Sequence, residues 1–203
     1  VLNGAPANRP VPMLSFALNY FFNQYRVVGY HAVNILIHVL NGFLLFVFVR
    51  KTLVLSIGEG SEISPIRSRA IAFFCALIWL VHPLQTQSVT YVYQRMNSMA
   101  ALFYLLSILC YVNGRICQRP PGSESQWAGN LRKNAVIYFV SSIIFGLLAL
   151  GSKEISAPLP FFIILYEWSF FQNQGKGWLK KNAVWIVLAF IPGMVLFWIT
   201  VSL

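Results

Sequence analysis

The residues best suited to chemistry are polar and lie in short stretches between apolar runs. One stretch reads His82-Pro83-Leu84-Gln85-Thr86-Gln87-Ser88-Val89-Thr90-Tyr91-Val92-Tyr93-Gln94-Arg95-Met96-Asn97. A second is only Gly151-Ser152-Lys153-Glu154. Arg95 offers a planar fork of N–H donors that matches phosphate oxygens, and Lys153 offers a compact ammonium. The run of donors and acceptors around His82, Gln85 and Gln87 suits a hydroxyl-rich ligand. Glu154 adjoins Lys153, but neighbours at i and i+1 do not face each other on a helix, so the two would serve different partners. Glu154 would orient a cation or act as a base. Each stretch also has a plain alternative, a solvated loop or turn whose charges reach water at the membrane surface.

A third set lies inside an apolar helix. His31, Asn34, His38 and Asn41 are spaced +3, +4, +3, which places them on one helical stripe among Val, Ile, Leu and Phe. Polar groups at membrane depth face a bundle interior or a cavity. Interhelical hydrogen bonding is the favoured role for His38 and Asn41. His31 and Asn34, nearer the helix end, are balanced between that role and ligand binding. Arg9 precedes a further helix in which Leu14, Ala17, Leu18 and Phe21 share one face and Ser15, Asn19 and Asn23 another. This reads as an amphipathic helix lying on the membrane surface.

The elements that must position these residues are membrane helices. Apolar residues make up 58% of the 203 and charged residues only 10%, against about a half and a quarter in soluble domains. The excess clusters into runs near 29–49, 69–81, 98–112, 135–150, 155–171 and 183–203. The expected fold is all-α: a polytopic membrane helix bundle of about six crossings, with a leader over 1–28 and membrane helices over 29–203, and no soluble domain. The start at Val1 and the close at Leu203 within an apolar run lead to the expectation of an internal piece of a longer chain.

Charge placement gives an expected orientation. Eleven of the fifteen Lys and Arg fall in the gaps 50–69, 115–133 and 172–181. Excess Lys and Arg stay on the cytoplasmic side, so the leader, 82–97 and 151–154 would face the periplasm or an organelle lumen. The net charge of +10 then marks cytoplasmic loops near anionic lipid and implies no nucleic acid. The three cysteines, Cys75, Cys110 and Cys117, have no metal-like spacing and give no disulfide framework. No metal site is expected. Nucleophile elbow, phosphate loop, zinc helix motif and paired carboxylates are all missing, which speaks against a hydrolase or a nucleotide-driven pump.

Taken in order, Arg9-Pro10…Leu14-Ser15-Phe16…Leu18-Asn19-Tyr20, Gly29-Tyr30-His31…Asn34…His38, His82-Pro83…Thr86…Val89 and Gly151-Ser152-Lys153-Glu154 resemble the transmembrane and tetratricopeptide-repeat-containing (TMTC) O-mannosyltransferase-like proteins. The wording Gln85-Thr86-Gln87-Ser88-Val89-Thr90-Tyr91 is similar to their bacterial branch. The resemblance implies a GT-C glycosyltransferase fold with its active site at the outer face. Such enzymes pass a sugar from a polyprenyl-phosphate carrier to a protein hydroxyl and are followed by tetratricopeptide repeats. It implies donor-phosphate and sugar contacts at Arg95, Lys153, His82, Gln85, Gln87, Arg9, His31 and Asn34, and no cofactor beyond the lipid-linked donor. The family's catalytic acidic motif would precede Val1, leaving Glu154 as the one acid of the outer face. Animal members read His-Pro-x-His-Thr-Glu where this chain has Gln87 in place of the acid. Implied partners are the lipid bilayer, the lipid-linked sugar and a protein acceptor. The implied location is a bacterial inner membrane, or the endoplasmic reticulum in a eukaryote. The rival class is non-enzymatic: a membrane anchor for a repeat scaffold, or a transporter with its site near the midplane.

Overall fold

A computed structural model describes residues 9–56, 64–118, 128–172, 177–178 and 180–182. Among these the chain is helical, without a strand. The elements are α1 (Pro10–Asn23), α2 (Val27–Ser56), α3 (Pro65–Val81), a 3-10 turn (Pro83–Gln85), α4 (Thr86–Thr90), a 3-10 turn (Val92–Gln94), α5 (Arg95–Gln118), α6 (Ala128–Ser152), a 3-10 turn (Glu154–Ser156) and α7 (Leu159–Phe170). Among the described residues three helical segments are long and apolar enough to cross a membrane: Val27–Ser56, Val92–Gln118 and Asn134–Ser152. A fourth span results if Ile66–Val81 and Pro83–Thr90, bent by 55° at their junction, count as one. The chain is thus an all-α, multi-pass membrane helix bundle.

The six expected runs fare differently. The run at 98–112 is short on its own, but α5 recruits the polar residues before it and reaches 24 residues. The run at 155–171 yields only a 12-residue helix, about 18 Å long at 1.5 Å per residue. It is preceded by the 3-10 turn, and Pro158 and Pro160 sit at its start, where a missing N–H costs least. The run at 183–203 and the linkers at 58–61 and 120–123 lie outside the described residues.

The packing divides into two compact units. The first holds residues 1–105 and 148–153, the second 106–147 and 154–203. In the first, α1 starts on Pro10 and Pro12 and ends at Gln24, which takes a left-handed φ of 49°. For a residue with a Cβ that conformation is strained. It is held by the Gln24 N–H on the Tyr20 carbonyl, at 2.7 Å, and by the Tyr30 hydroxyl donating to the Gln24 carbonyl at 3.0 Å. Leu14, Leu18 and Phe21 are 63%, 53% and 77% exposed, whereas Asn19 is 5% exposed. The amphipathic helix is therefore turned with its apolar stripe outward and its polar stripe toward the protein. That orientation suits an apolar surrounding. Helix α3 starts with the Ser64 hydroxyl accepting the Arg67 N–H and packs along α2. The two approach so closely that a Cβ on Gly42 would stand 2.5 Å from Leu80 Cγ.

The second unit is joined by polar contacts between helices. Ser107 donates to the Ser142 carbonyl at 2.7 Å, and Ser142 donates back to the Ser107 carbonyl at 2.9 Å. Glu167, 6% exposed, receives Arg115 Nε on one oxygen at 2.8 Å and Arg115 Nη2 on the other at 2.6 Å. The Tyr111 hydroxyl and Gln172 Nε2 complete its shell. A carboxylate this buried persists only because a bidentate Arg and two further donors replace its water.

Two stability outcomes follow. Glu167→Ala leaves the Arg115 charge without its partner and is expected to cost about 3 kcal/mol, the low end for a broken buried pair, because Arg115 is itself 25% exposed. Gly42→Ala is expected to cost about 1–3 kcal/mol by overpacking, and adding Leu80→Ala should recover part of it. Reversible unfolding of the purified protein in mixed micelles checks both.

Candidate functional site

The site is built where α3 breaks. Pro83 has no N–H, and it holds His82 in an extended conformation (φ −65°, ψ 132°). Beyond it the Leu84 N–H turns to His82 Nδ1 at 3.2 Å. The Leu80 carbonyl, which Leu84 would have capped in an unbroken helix, takes His38 Nε2 at 3.0 Å instead. The same exchange recurs along the segment. His31 Nδ1 lies 3.2 Å from the Val89 carbonyl. Asn34 Nδ2 donates to the Tyr91 carbonyl at 3.3 Å, and Asn41 Nδ2 to the Ser98 carbonyl at 2.9 Å. All four residues of the α2 stripe thus bond main-chain carbonyls, of the last turn of α3, of the broken segment or of α5. Since a carbonyl only accepts, His38 must carry its proton on Nε2 and His31 on Nδ1.

Arg95 opens α5 and is fully buried. Its Nε donates to Asn34 Oδ1 at 2.8 Å, and its Nη2 to Asn19 Oδ1 at 2.9 Å and to the Tyr30 carbonyl at 3.0 Å. The guanidinium carbon stands 4.7 Å from the centre of the Phe16 ring and 5.6 Å from that of Tyr30, within cation–π range. Arg95 therefore joins α1, α2 and α5. Its Nη1 is buried and has no protein partner. Every acid of the sequence is a Glu, at 59, 62, 124, 154 and 167. None of the first unit's described residues is acidic, and Glu154, the residue after Lys153, falls to the second unit.

Beside this hub is a cavity of about 210 Å³ lined by His38, Asn41, Trp79, Gln85, Asn97 and Ser98, among others. Trp79 stacks on His38 with ring centres 5.1 Å apart. Asn41 Oδ1 is buried without a partner. Lys153, at the end of α6, donates from Nζ to Asn97 Oδ1, and Asn97 Nδ2 in turn donates to Gln94 Oε1.

The residues singled out by sequence fall as follows. Arg95 and Asn34 are bonded to each other. Gln85 lines the cavity, accepting from Ser88 Oγ at 3.4 Å, and Lys153 reaches the cavity wall through Asn97. His31 fastens α4 to α2. His82 caps the 3-10 turn and Gln87 is exposed; neither lines the cavity. Arg9 Nη1 lies 3.4 Å from Met96 Sδ. Glu154 is exposed at the start of its 3-10 turn, in the second unit. Asn19, Asn97, Ser98 and Trp79 were not singled out as ligand-binding residues. Asn19 belongs to the polar stripe of α1. Asn97 and Ser98 continue the polar string that opens α5, and that continuity was the available signal. The Tyr20 phenol sits above its usual pKa, chiefly because it hydrogen-bonds Tyr25. No group of His, Cys, Asp and Glu among the described residues could hold a metal ion.

Comparison with known proteins gives a consistent set. The human protein O-mannosyl-transferase TMTC4 is 31% identical over 151 residues, which is 72% of this chain and 19% of that protein. Its mouse counterpart is 36% identical over 154 residues, with the same coverage. Mouse protein O-mannosyl-transferase TMTC1 is 33% identical over 103 residues, 51% of this chain and 10% of that protein. The chain spans from 10% to 19% of the length of these relatives. No family model matches it. No solved structure matches it. The similarity to curated proteins supports a TMTC-like family for this chain.

Proposed function

We propose that the chain is the donor-side portion of a membrane glycosyltransferase of the GT-C kind. The whole protein would move a mannose-like sugar from a polyprenyl-phosphate carrier to a protein hydroxyl at the periplasmic or lumenal face. The observation that carries this is the charge pattern of the first unit. Lys153 bonds Asn97, a residue of the cavity wall, and the buried Arg95 keeps Nη1 without a protein partner. A buried cation without a counter-charge is costly unless an anion joins it, and a phosphate leaving group is such an anion. The names of the relatives, all protein O-mannosyl-transferases, agree in reaction class. The bacterial inner membrane and tetratricopeptide repeats downstream belong to the same proposal and rest on the sequence resemblance.

The chemistry is displacement at the anomeric carbon. A carboxylate takes the proton of the acceptor hydroxyl as the bond from that oxygen to carbon forms, and the carbon–phosphate oxygen bond breaks with its electron pair. Lys153 Nζ would stabilise the negative charge growing on the departing phosphate, with Arg95 Nη1 as a second donor. Glu154 is the one acid placed near this end of α6 by sequence. His82, Gln87 and Arg9 would act at the rim, and His31 and Asn34 as positioning residues through the carbonyls and guanidinium they hold.

In the complete protein, Lys153→Ala is expected to lower transfer from a radiolabelled lipid-phosphate sugar by about 10²–10³-fold, the loss typical of one oxyanion donor. Lys153→Arg should retain part of it, and membrane insertion should be unchanged. Arg95→Ala should lower both transfer and thermal stability, because it also unpins α1 and α2. Wild-type transfer by Lys153→Ala would remove the phosphate role, and absence of transfer by the wild-type protein would favour an anchor or transporter.

A further inference from the structure

We propose that the end of the α2–α3 pair remote from the cavity holds an anionic phospholipid, recognised by its phosphate and its acyl chains together. The inference is independent of the transferase reading. Helices α2 and α3 are closest where Gly42 meets Leu80. From that point Arg50 and Lys51 lie eight and nine residues further along α2, and Arg69 and Arg67 eleven and thirteen residues back along α3. At 1.5 Å per residue the four cations fall in one band about 12–20 Å from the closest approach. Arg50, Arg67 and Arg69 are exposed. The first unit has no acid among its described residues. Glu59 and Glu62, between the two helices, lie outside the described residues; counting both, the stretch 50–69 still carries four cations against two acids. A band of net positive charge attracts a headgroup of net negative charge and repels the amine of a zwitterionic one. The Arg side chains offer the forked donors that suit phosphate oxygens.

The apolar residues decide between a lipid and a dissolved anion. On α3, Ser68, Ala72 and Ala76 are buried at four-residue intervals and mark the face turned into the protein. Arg67 and Arg69 flank that face. Arg67 heads a stripe through Ile71, Phe74 and Ile78, and Arg69 heads a second through Phe73 and Leu77. The five apolar side chains are 40–63% exposed. The longer stripe runs about 16 Å along the helix axis. That is close to the hydrocarbon depth of one leaflet, half of about 30 Å. A cation at the head of an exposed apolar track of this length complements a phosphate joined to an acyl chain. A dissolved phosphate would use the cation alone and leave the track without a partner.

The test uses the full-length protein in nanodiscs of phosphatidylcholine carrying a rising fraction of phosphatidylglycerol. The readouts are thermal unfolding and native mass spectrometry of the lipid that leaves with the protein. Phosphatidylglycerol should raise the unfolding temperature to a plateau and should be enriched over the bulk lipid among the molecules retained. Arg67→Gln and Arg69→Gln should each raise the fraction needed for half the shift by about fivefold, the factor for one cation near an anionic surface. Unfolding in pure phosphatidylcholine should be unchanged, and the double variant Arg67→Lys, Arg69→Lys should respond as the wild type does. Lys180→Gln with Lys181→Gln, which removes two exposed cations of the second unit, should also respond as the wild type. Absence of a response in the wild type overturns the proposal. So does an equal loss in the Lys180 and Lys181 variant, which would show attraction to any basic segment. Equal stabilisation in pure phosphatidylcholine by millimolar inorganic phosphate overturns it as well, because the ligand would then be a dissolved anion. The wild type gives a check that needs no substitution: at about 1 M salt, where the screening length is about 3 Å, its response should shrink, and an unchanged response overturns the proposal.

Discussion

A backbone break leaves main-chain carbonyls without helical partners, and the first unit is arranged around supplying others. A buried carbonyl left open costs about 1–3 kcal/mol. Pro83 makes such a break, and before α5 opens at Arg95 the chain forms only the five-residue α4 between two 3-10 turns. The α2 stripe answers it: His38 takes Leu80, His31 takes Val89 and Asn34 takes Tyr91, while Asn41 takes Ser98 on α5. The spacing +3, +4, +3 is what allows one helix to serve carbonyls displaced along a neighbouring irregular segment. The irregular segment can then hold polar side chains around a cavity while its own backbone stays satisfied.

Arg95 extends the same logic to three helices. It spends Nε and Nη2 on neutral oxygens from α1 and α2 and lies against two aromatic rings. This is an expensive way to join helices unless the charge has a second use. The contrast with the second unit is instructive. There Glu167 meets Arg115 in a bidentate pair with every donor accounted for, as a purely structural ion pair would be. Arg95 by contrast keeps Nη1 without a protein partner; Asn19 Nδ2 and Asn41 Oδ1 in the first unit and Trp168 Nε1 in the second are also buried without one.

Much of this was legible in the residues. The α2 stripe could be read because a helix places +3/+4 neighbours on one face, and polar groups at that depth must find partners. Their partners could not, since backbone carbonyls carry no sequence signal. Hydrogen bonding, the role favoured for His38 and Asn41, extends to His31 and Asn34. The helix end at Pro83 and the amphipathic helix after Arg9 were both legible. The direction of that helix was not: in an apolar medium the polar face turns inward, and only Asn19 meeting Arg95 reveals it. Asn97 closed the polar stretch but its role was not legible, because its link to Lys153 spans 56 positions. The 12-residue helix after Glu154 departed from a full crossing because the 3-10 turn and prolines consumed the start of its apolar run. Gln85 and Gln87 looked equivalent in sequence, yet helical geometry sends one to the cavity and the other outward.

The central claim is that imidazole and amide side chains of α2 hold the broken segment by its carbonyls, and the ring nitrogens report this directly. ¹⁵N spectra of histidine-labelled protein in lipid, at a pH where both rings are neutral, should show His38 protonated at Nε2 and bare at Nδ1. His31 should show the opposite tautomer, each in slow exchange. Averaged signals from rings interconverting freely, or a bare Nε2 on His38, would contradict the account, because neither histidine would then be donating to a carbonyl.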